Sequence, residues 1–141
     1  MRWIISTRVS TDMQKVENQI KECRAYISPL FKEGDILLEF NEPEMSSRTE
    51  MDKRPILQEM LSNAKKGDTL VIYSLDRLAR DGFELVAIYH ELIGRGVKIH
   101  SICEPRIDKS MIHIYAFKDE TERDAIRIKT LSGLNRKRLN G

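Results

Sequence analysis

Four short apolar runs alternate with longer amphipathic stretches along this chain. Trp3, Ile4 and Ile5 make residues 2 to 6 a buried strand, and Asp35 to Phe40, Thr69 to Tyr73 and Val97 to Ile102 read the same way. Between them the apolar period lengthens to that of a helix. Thr11 and Gln14 have capping-box spacing, and Val16, Ile20, Cys23 and Ile27 then recur on one face until Pro29. Arg54-Pro55 opens a second helix with Ile56, Leu57, Met60, Leu61 and Ala64 inward, and Lys66-Gly67-Asp68 closes it. Asp81 and Glu84 start a third, with Leu85, Ile88, Tyr89 and Leu92 inward and Gly94-Arg95-Gly96 at its end. Strands alternating with helices predict an α/β fold: a mostly parallel sheet of four to five strands, right-handed crossovers, and helices on both faces.

Two stretches depart from this rhythm. Asn41 to Lys53 is a polar loop of about thirteen residues, long for a compact domain and therefore expected to be functional. A long last helix is expected from about Ser110 to Ser132, yet its apolar residues (Ile112, Tyr115, Ala116, Ile126) are too sparse to cover one face. Such a helix is poorly supported within a lone monomer. The organisation expected is an α/β core over residues 1–109 and a helix with a basic end over 110–141.

Composition adds little until charge is divided along the chain. The formal charge of +2 splits into +4 from Thr121 to Gly141 and −2 elsewhere. Arg123, Arg127, Lys129, Arg136, Lys137 and Arg138 make that end suited to phosphate contacts, since each neutralised phosphate releases condensed counterions. At 141 residues the chain is one domain's worth and can bury roughly two thirds of its unfolded surface without a staple. Cys23 and Cys103 lack paired spacing and are expected to be buried thiols in a reducing compartment. Charge returns at Arg8 and Asp12, so neither a signal peptide nor a membrane span is expected, and a cytoplasmic location follows.

The candidate chemistry lies where strands end. Arg8-Val9-Ser10-Thr11 leaves the first strand, the Glu44 to Arg54 segment follows the second, and Asp76-Arg77-Leu78-Ala79-Arg80 follows the third. In α/β sheets ligands bind beyond these carboxyl ends. A serine among guanidiniums suits attack on a phosphodiester, because arginine never deprotonates, grips phosphate oxygens bidentately and stabilises charge developing on them. Ser10 could equally be a helix cap if read alone. His90, His100 and His113 fall within helices and a strand, so a Ser-His-Asp triad finds no support. No carboxylate cluster has two-metal spacing, so no metal is expected.

With Arg8-Val9-Ser10-Thr11-x-x-Gln14, the Ser47 to Arg54-Pro55 segment and Leu75-Asp76-Arg77-Leu78-x-Arg80-Asp81 in order, residues 1 to about 134 resemble the serine recombinases (resolvases and invertases). Glu122-Arg123 followed by Ile126 is a weaker fourth match. The resemblance implies a resolvase-like three-layer fold and a site-specific recombinase of duplex DNA. Ser10 would be its nucleophile, forming a 5′-phosphoserine link that conserves bond energy, so that religation would need no nucleotide or other small-molecule cofactor. Arg8, Arg54, Arg77 and Arg80 match the family's phosphate-binding arginines; Gln14, Gln19 and Asp76 match its supporting polar residues, and Glu44 lies near an acidic position. It further implies a homodimer that pairs into a tetramer at synapsis, with the last helix at the dimer interface and its basic end reaching DNA.

Departures from the family pattern are specific. Ser6 stands where tyrosine is usual, Ser47-Arg48 replaces Ser-Gly, Lys129 replaces arginine, and the Pro105 to Met111 approach to the last helix is short. Arg48 has no family assignment. No helix-turn-helix module appears in these 141 residues, so a catalytic domain of a longer protein is favoured over a short relative. Two rivals remain: a catalytically silent DNA-binding or regulatory relative, and a phosphatase or nuclease that uses the same serine and releases its product.

Overall fold

A computed structural model of the protein describes residues 1–8, 13–42, 54–79 and 81–117, with the side chains of the first helix described from residue 16. The expectations for Ser10, Gln14's side chain, Glu44, Arg48, Arg80 and the basic end therefore lie outside the described residues.

Four strands, β1 (Arg2–Arg8), β2 (Ile36–Glu42), β3 (Thr69–Ile72) and β4 (Lys98–Ser101), form one sheet in the order β2-β1-β3-β4. Every pairing is parallel. The helices are α1 (Met13–Ile27), α2 (Pro55–Asn63), the four-residue α3 (Leu75–Leu78) and α4 (Gly82–Gly94). A fifth, α5, is described over 109–117. The three-layer α/β fold expected from the sequence is the fold observed.

Alternation along the central strands distributes the core to two faces. Trp3, Ile5 and Val71 pack with Cys23 and Ile27 of α1. On the other face Ile4, Leu70 and Ile72 meet Leu57, Met60 and Leu61 of α2 and Leu85, Ile88 and Leu92 of α4, with Ile112 of α5 in the same cluster. β1 and β3 are thus covered on both sides, which is why they read as unbroken apolar runs. The inward residues expected for α4 are all buried. Its start is capped as expected, with the Asp81 carboxylate accepting the Glu84 amide at 2.8 Å.

Several boundaries moved for reasons hydrophobicity does not carry. β1 runs to Arg8 instead of residue 6, and β2 to Glu42 instead of Phe40, because the ladder continues through Thr7↔Asn41 and Arg8↔Glu42. Thr7 Oγ1 donates to Asn41 Oδ1 along that extension. The turn α3 and a 3-10 turn at Ser28–Leu30 are too short to show a period. Cys23 is buried as expected, its thiol pushed up to about 11 chiefly by that burial. Cys103, expected to be buried, is exposed: it lies past the end of β4, where the sheet no longer covers it.

α5 docks closely on the start of α4. A Cβ on Gly82 would stand 2.7 Å from the Ala116 carbonyl oxygen, so only glycine permits this approach. No described helix is long and apolar enough to cross a membrane.

Asp35, at the turn into β2, offers a test of the amino-terminal edge. Its carboxylate accepts the Lys32 amide at 2.9 Å, the terminal ammonium at 3.0 Å and the Trp3 indole N–H at 3.2 Å. These bonds, the Lys32 amide first, lower its pKa from 3.8 to about 2. A carboxyl depressed in the folded state contributes stability above its unfolded value and loses it as pH falls through the folded one. Asp35→Asn should therefore lower the urea midpoint at pH 6 and flatten the acid limb between about pH 4 and 2. Parallel acid limbs for the two proteins would contradict this.

Candidate active site

The chain crosses from β1 outward to β2, then returns past β1 to β3 and continues to β4. The strand order therefore reverses between β1 and β3, and their carboxyl ends form the crevice in which open α/β sheets bind ligands. Arg8 is the last residue of β1, and Asp76 and Arg77 follow β3 on α3. One contact closes the crevice: Arg8 Nη2 donates to the Asp76 carbonyl at 3.0 Å.

α3 itself is held by side chains from two directions. Ser74 Oγ donates to the Asp76 carboxylate, and the Arg77 amide donates to the Ser74 carbonyl at 3.1 Å. From beyond β4, the Glu104 carboxylate accepts the Leu75 amide at 3.3 Å and the Ser101 hydroxyl. Four residues have no helical stability of their own, so these contacts fix where Asp76 and Arg77 sit. Glu104 escaped the sequence reading because an isolated acid after a strand carries no pattern.

Burial lowers the pKa of half-buried Arg8, and the Arg54 and Arg77 cations lower it further, while Glu42 and Asp76 push it back up. Crowded guanidiniums of this kind gain from an arriving anion, which relieves their mutual repulsion. Gln19 is buried on α1 and shares with Asn18, Lys21, Glu22, Ala25 and Tyr73 a cleft of about 610 Å³. Tyr73 follows β3, so that cleft opens beside the same crevice.

The third motif arginine among the described residues sits differently. Arg54, 2% exposed, holds Glu42 through Nε and Nη2 at 2.5 and 2.6 Å and Glu84 through Nη1. Neither carboxylate was singled out from the sequence. Glu42 stands two residues before the expected acidic Glu44, and Glu84 was read only as the far end of a capping box. The Asp81 side chain makes that cap, while the Glu84 carboxylate faces Arg54.

The histidines lie away from these arginines in their contacts. His90 and His113 approach through their Nε2 atoms at 3.1 Å across α4 and α5, and His100 stacks on Tyr26 with ring centroids 3.9 Å apart. Among the described residues no three His, Cys, Asp or Glu side chains group to hold a metal ion. A second cleft, about 460 Å³ and largely apolar, runs between α4 and α5 beside exposed Phe83 and Phe117.

A doubly wound parallel sheet with arginines at its switch point defines an α/β domain suited to an anionic substrate. The family profile described as resolvase, N-terminal domain, matches residues 3–141, and the chain belongs to that family as a serine recombinase catalytic domain. It is 40% identical over 94 residues to the DNA-invertase hin of Salmonella typhimurium, covering 62% of this chain and 49% of that protein. It is 33% identical over 141 residues to the transposon Tn552 resolvase of Staphylococcus aureus, covering 95% and 66%. The chain thus spans about half to two thirds of the length of these relatives. In fold it is similar to a resolvase family site-specific recombinase from Streptococcus pneumoniae, with a TM-score of 0.66, 23% identity and 97% coverage of both chains. The N-terminal catalytic domain of TP901-1 integrase gives 0.61 and 21%, covering 90% of this chain and 97% of that one.

Proposed function

We propose that this chain is the catalytic domain of a site-specific recombinase that cuts and rejoins duplex DNA through Ser10. The observation that carries the reading is the Arg8 to Asp76 bond, which draws the ends of β1 and β3 together two residues before Ser10. The Ser10 hydroxyl oxygen attacks phosphorus, the phosphorus bond to the 3′ oxygen breaks, and the proton lost by serine is matched by one gained on the 3′ oxygen. The products are a 5′-phosphoserine and a free 3′ hydroxyl. Reversal by another 3′ hydroxyl rejoins the strand with no nucleotide cofactor, since the ester conserves the bond energy. Arg8, Arg77 and Arg80 bind the phosphate and stabilise charge on its oxygens. Gln14, Gln19 and Asp76 orient these groups.

The partner reading starts from a face that the core does not use. Phe83, Ile114 and Phe117 are 76%, 67% and 74% exposed along α4 and α5, an apolar strip suited to a second copy of the chain. On this reading residues 1–109 are the catalytic core, 110–141 serve dimerisation and DNA contact, and two dimers pair at synapsis. On the same reading the protein acts in the cytoplasm.

The direct test is covalent capture. The protein is incubated with duplexes drawn from the DNA surrounding its gene, quenched in detergent and run on denaturing gels. A protein-linked 5′ end with a free 3′ hydroxyl is expected. Cut ends without protein would point to a nuclease, and binding without cutting to a silent relative.

Binding itself should be salt-sensitive. The logarithm of affinity falls with that of salt by about 0.9 per phosphate neutralised. Replacing Arg136, Lys137 and Arg138 by glutamine should flatten that slope by up to about 3 in anisotropy titrations. An unchanged slope would remove these residues from the DNA contact.

A further inference from the structure

Arg54 heads by size the fully buried side chains among the described residues, and a guanidinium has five N–H groups to satisfy. Nε donates to Glu42 Oε1 and Nη2 to Glu42 Oε2. Nη1 donates to Glu84 Oε1, and the remaining hydrogens of Nη1 and Nη2 converge on the Leu78 carbonyl at 3.4 Å each. Each donor thus has an acceptor within the protein. An arginine in this state has no N–H to offer a phosphate, and freeing Nε and Nη2 would strand the Glu42 carboxylate in the interior.

What Arg54 joins is more telling than what it lacks. Glu42 ends β2 and is the register partner of Arg8. Leu78 ends α3, one residue after Arg77, and Glu84 lies in the first turn of α4. One side chain therefore ties together the end of β2, which pairs with the Arg8 end of β1, the end of α3, which carries Arg77, and the start of α4. The charges also interlock: two carboxylates face one buried guanidinium, and Arg8 is the neighbouring cation that feels both Glu42 and Arg54.

We infer that Arg54 is a positioning residue, a clamp that sets Arg8 and Arg77 through Glu42, Glu84 and the Leu78 carbonyl, and does not itself bind the scissile phosphate. The inference rests on the recombinase reading for its catalytic readout. It departs from the motif match, which groups Arg54 with the phosphate-binding arginines.

Two variants of the whole chain and two measurements separate the roles. Arg54→Gln should leave the salt slope of duplex binding as in wild type, because no phosphate contact is lost. Adduct formation at saturating DNA should nevertheless fall by at least about tenfold, as misplacement of catalytic groups by an ångström can cost more than that. The triple variant Arg54→Met, Glu42→Leu, Glu84→Leu replaces the buried ions by apolar groups, a swap that interiors often accept. It should recover at least about half of the logarithmic loss in adduct rate, with no guanidinium at position 54. A slope reduced by about one unit in Arg54→Gln would make Arg54 a phosphate ligand and overturn the clamp. So would a folded triple variant with no recovery.

Wild-type protein that neither binds nor captures DNA would defeat the recombinase reading alone. The clamp is then read from amide hydrogen exchange over residues 75–79 without DNA. Exchange quickened in Arg54→Gln and slowed again in the triple variant supports it; unchanged exchange overturns it.

Discussion

Ser10→Ala should abolish covalent attachment to DNA while the protein stays folded. Removing a catalytic nucleophile typically costs several orders of magnitude in rate, on the order of a millionfold where it has been isolated. Here the loss should be complete on a denaturing gel, because no other hydroxyl of the motif follows β1 at the same spacing from Arg8. Stability should change by only about 0.5 kcal/mol for a serine that caps no helix, and by about 1 kcal/mol for one that does. Thermal melts run beside the capture assay would separate lost chemistry from lost structure. Undiminished adduct in the alanine protein would remove Ser10 from the mechanism.

Arg77→Lys should keep the charge and still lose most of the cleavage, by roughly 10²- to 10³-fold, as when one preorganised donor is taken from a transition state. Lysine is a point charge on a flexible stem and cannot reproduce a planar fork on phosphate oxygens. The helix that carries Arg77 is fixed by Ser74 and by the distant Glu104, so the backbone from which the side chain extends is held in place. Duplex affinity should change far less than the rate, because the charge that steers binding remains. The same contrast is expected for Arg80. Lysine variants that cleave at the wild-type rate would make these arginines structural.

The difference between these residues and Arg54 shows how far motif spacing reaches. All four arginines occupy motif positions of one kind, a guanidinium shortly after a strand or before a helix. Only the packing separates them, since Arg8 and Arg77 are half-buried at the crevice while Arg54 is enclosed by two carboxylates. Glu42 and Glu84 are 42 residues apart and share no pattern, so nothing local could pair them through Arg54.

The sequence by itself determined the alternation of strands and helices, the inward faces of α2 and α4, the Asp81 cap and the placing of Arg8, Asp76 and Arg77 where β1 and β3 end. Those features follow from periodicity and from rules that act within a few residues, and the chain carries them openly. Only the tertiary structure decided where β1 and β2 end, since Thr7 and Arg8 are extended by the partner strand and not by their own hydrophobicity. It also decided the short helix α3, the anchoring of that helix by Glu104, and the enclosure of Arg54. Each of these depends on polar groups far apart in the chain whose bonds gain strength once water is excluded, and a one-dimensional pattern holds no record of that exclusion.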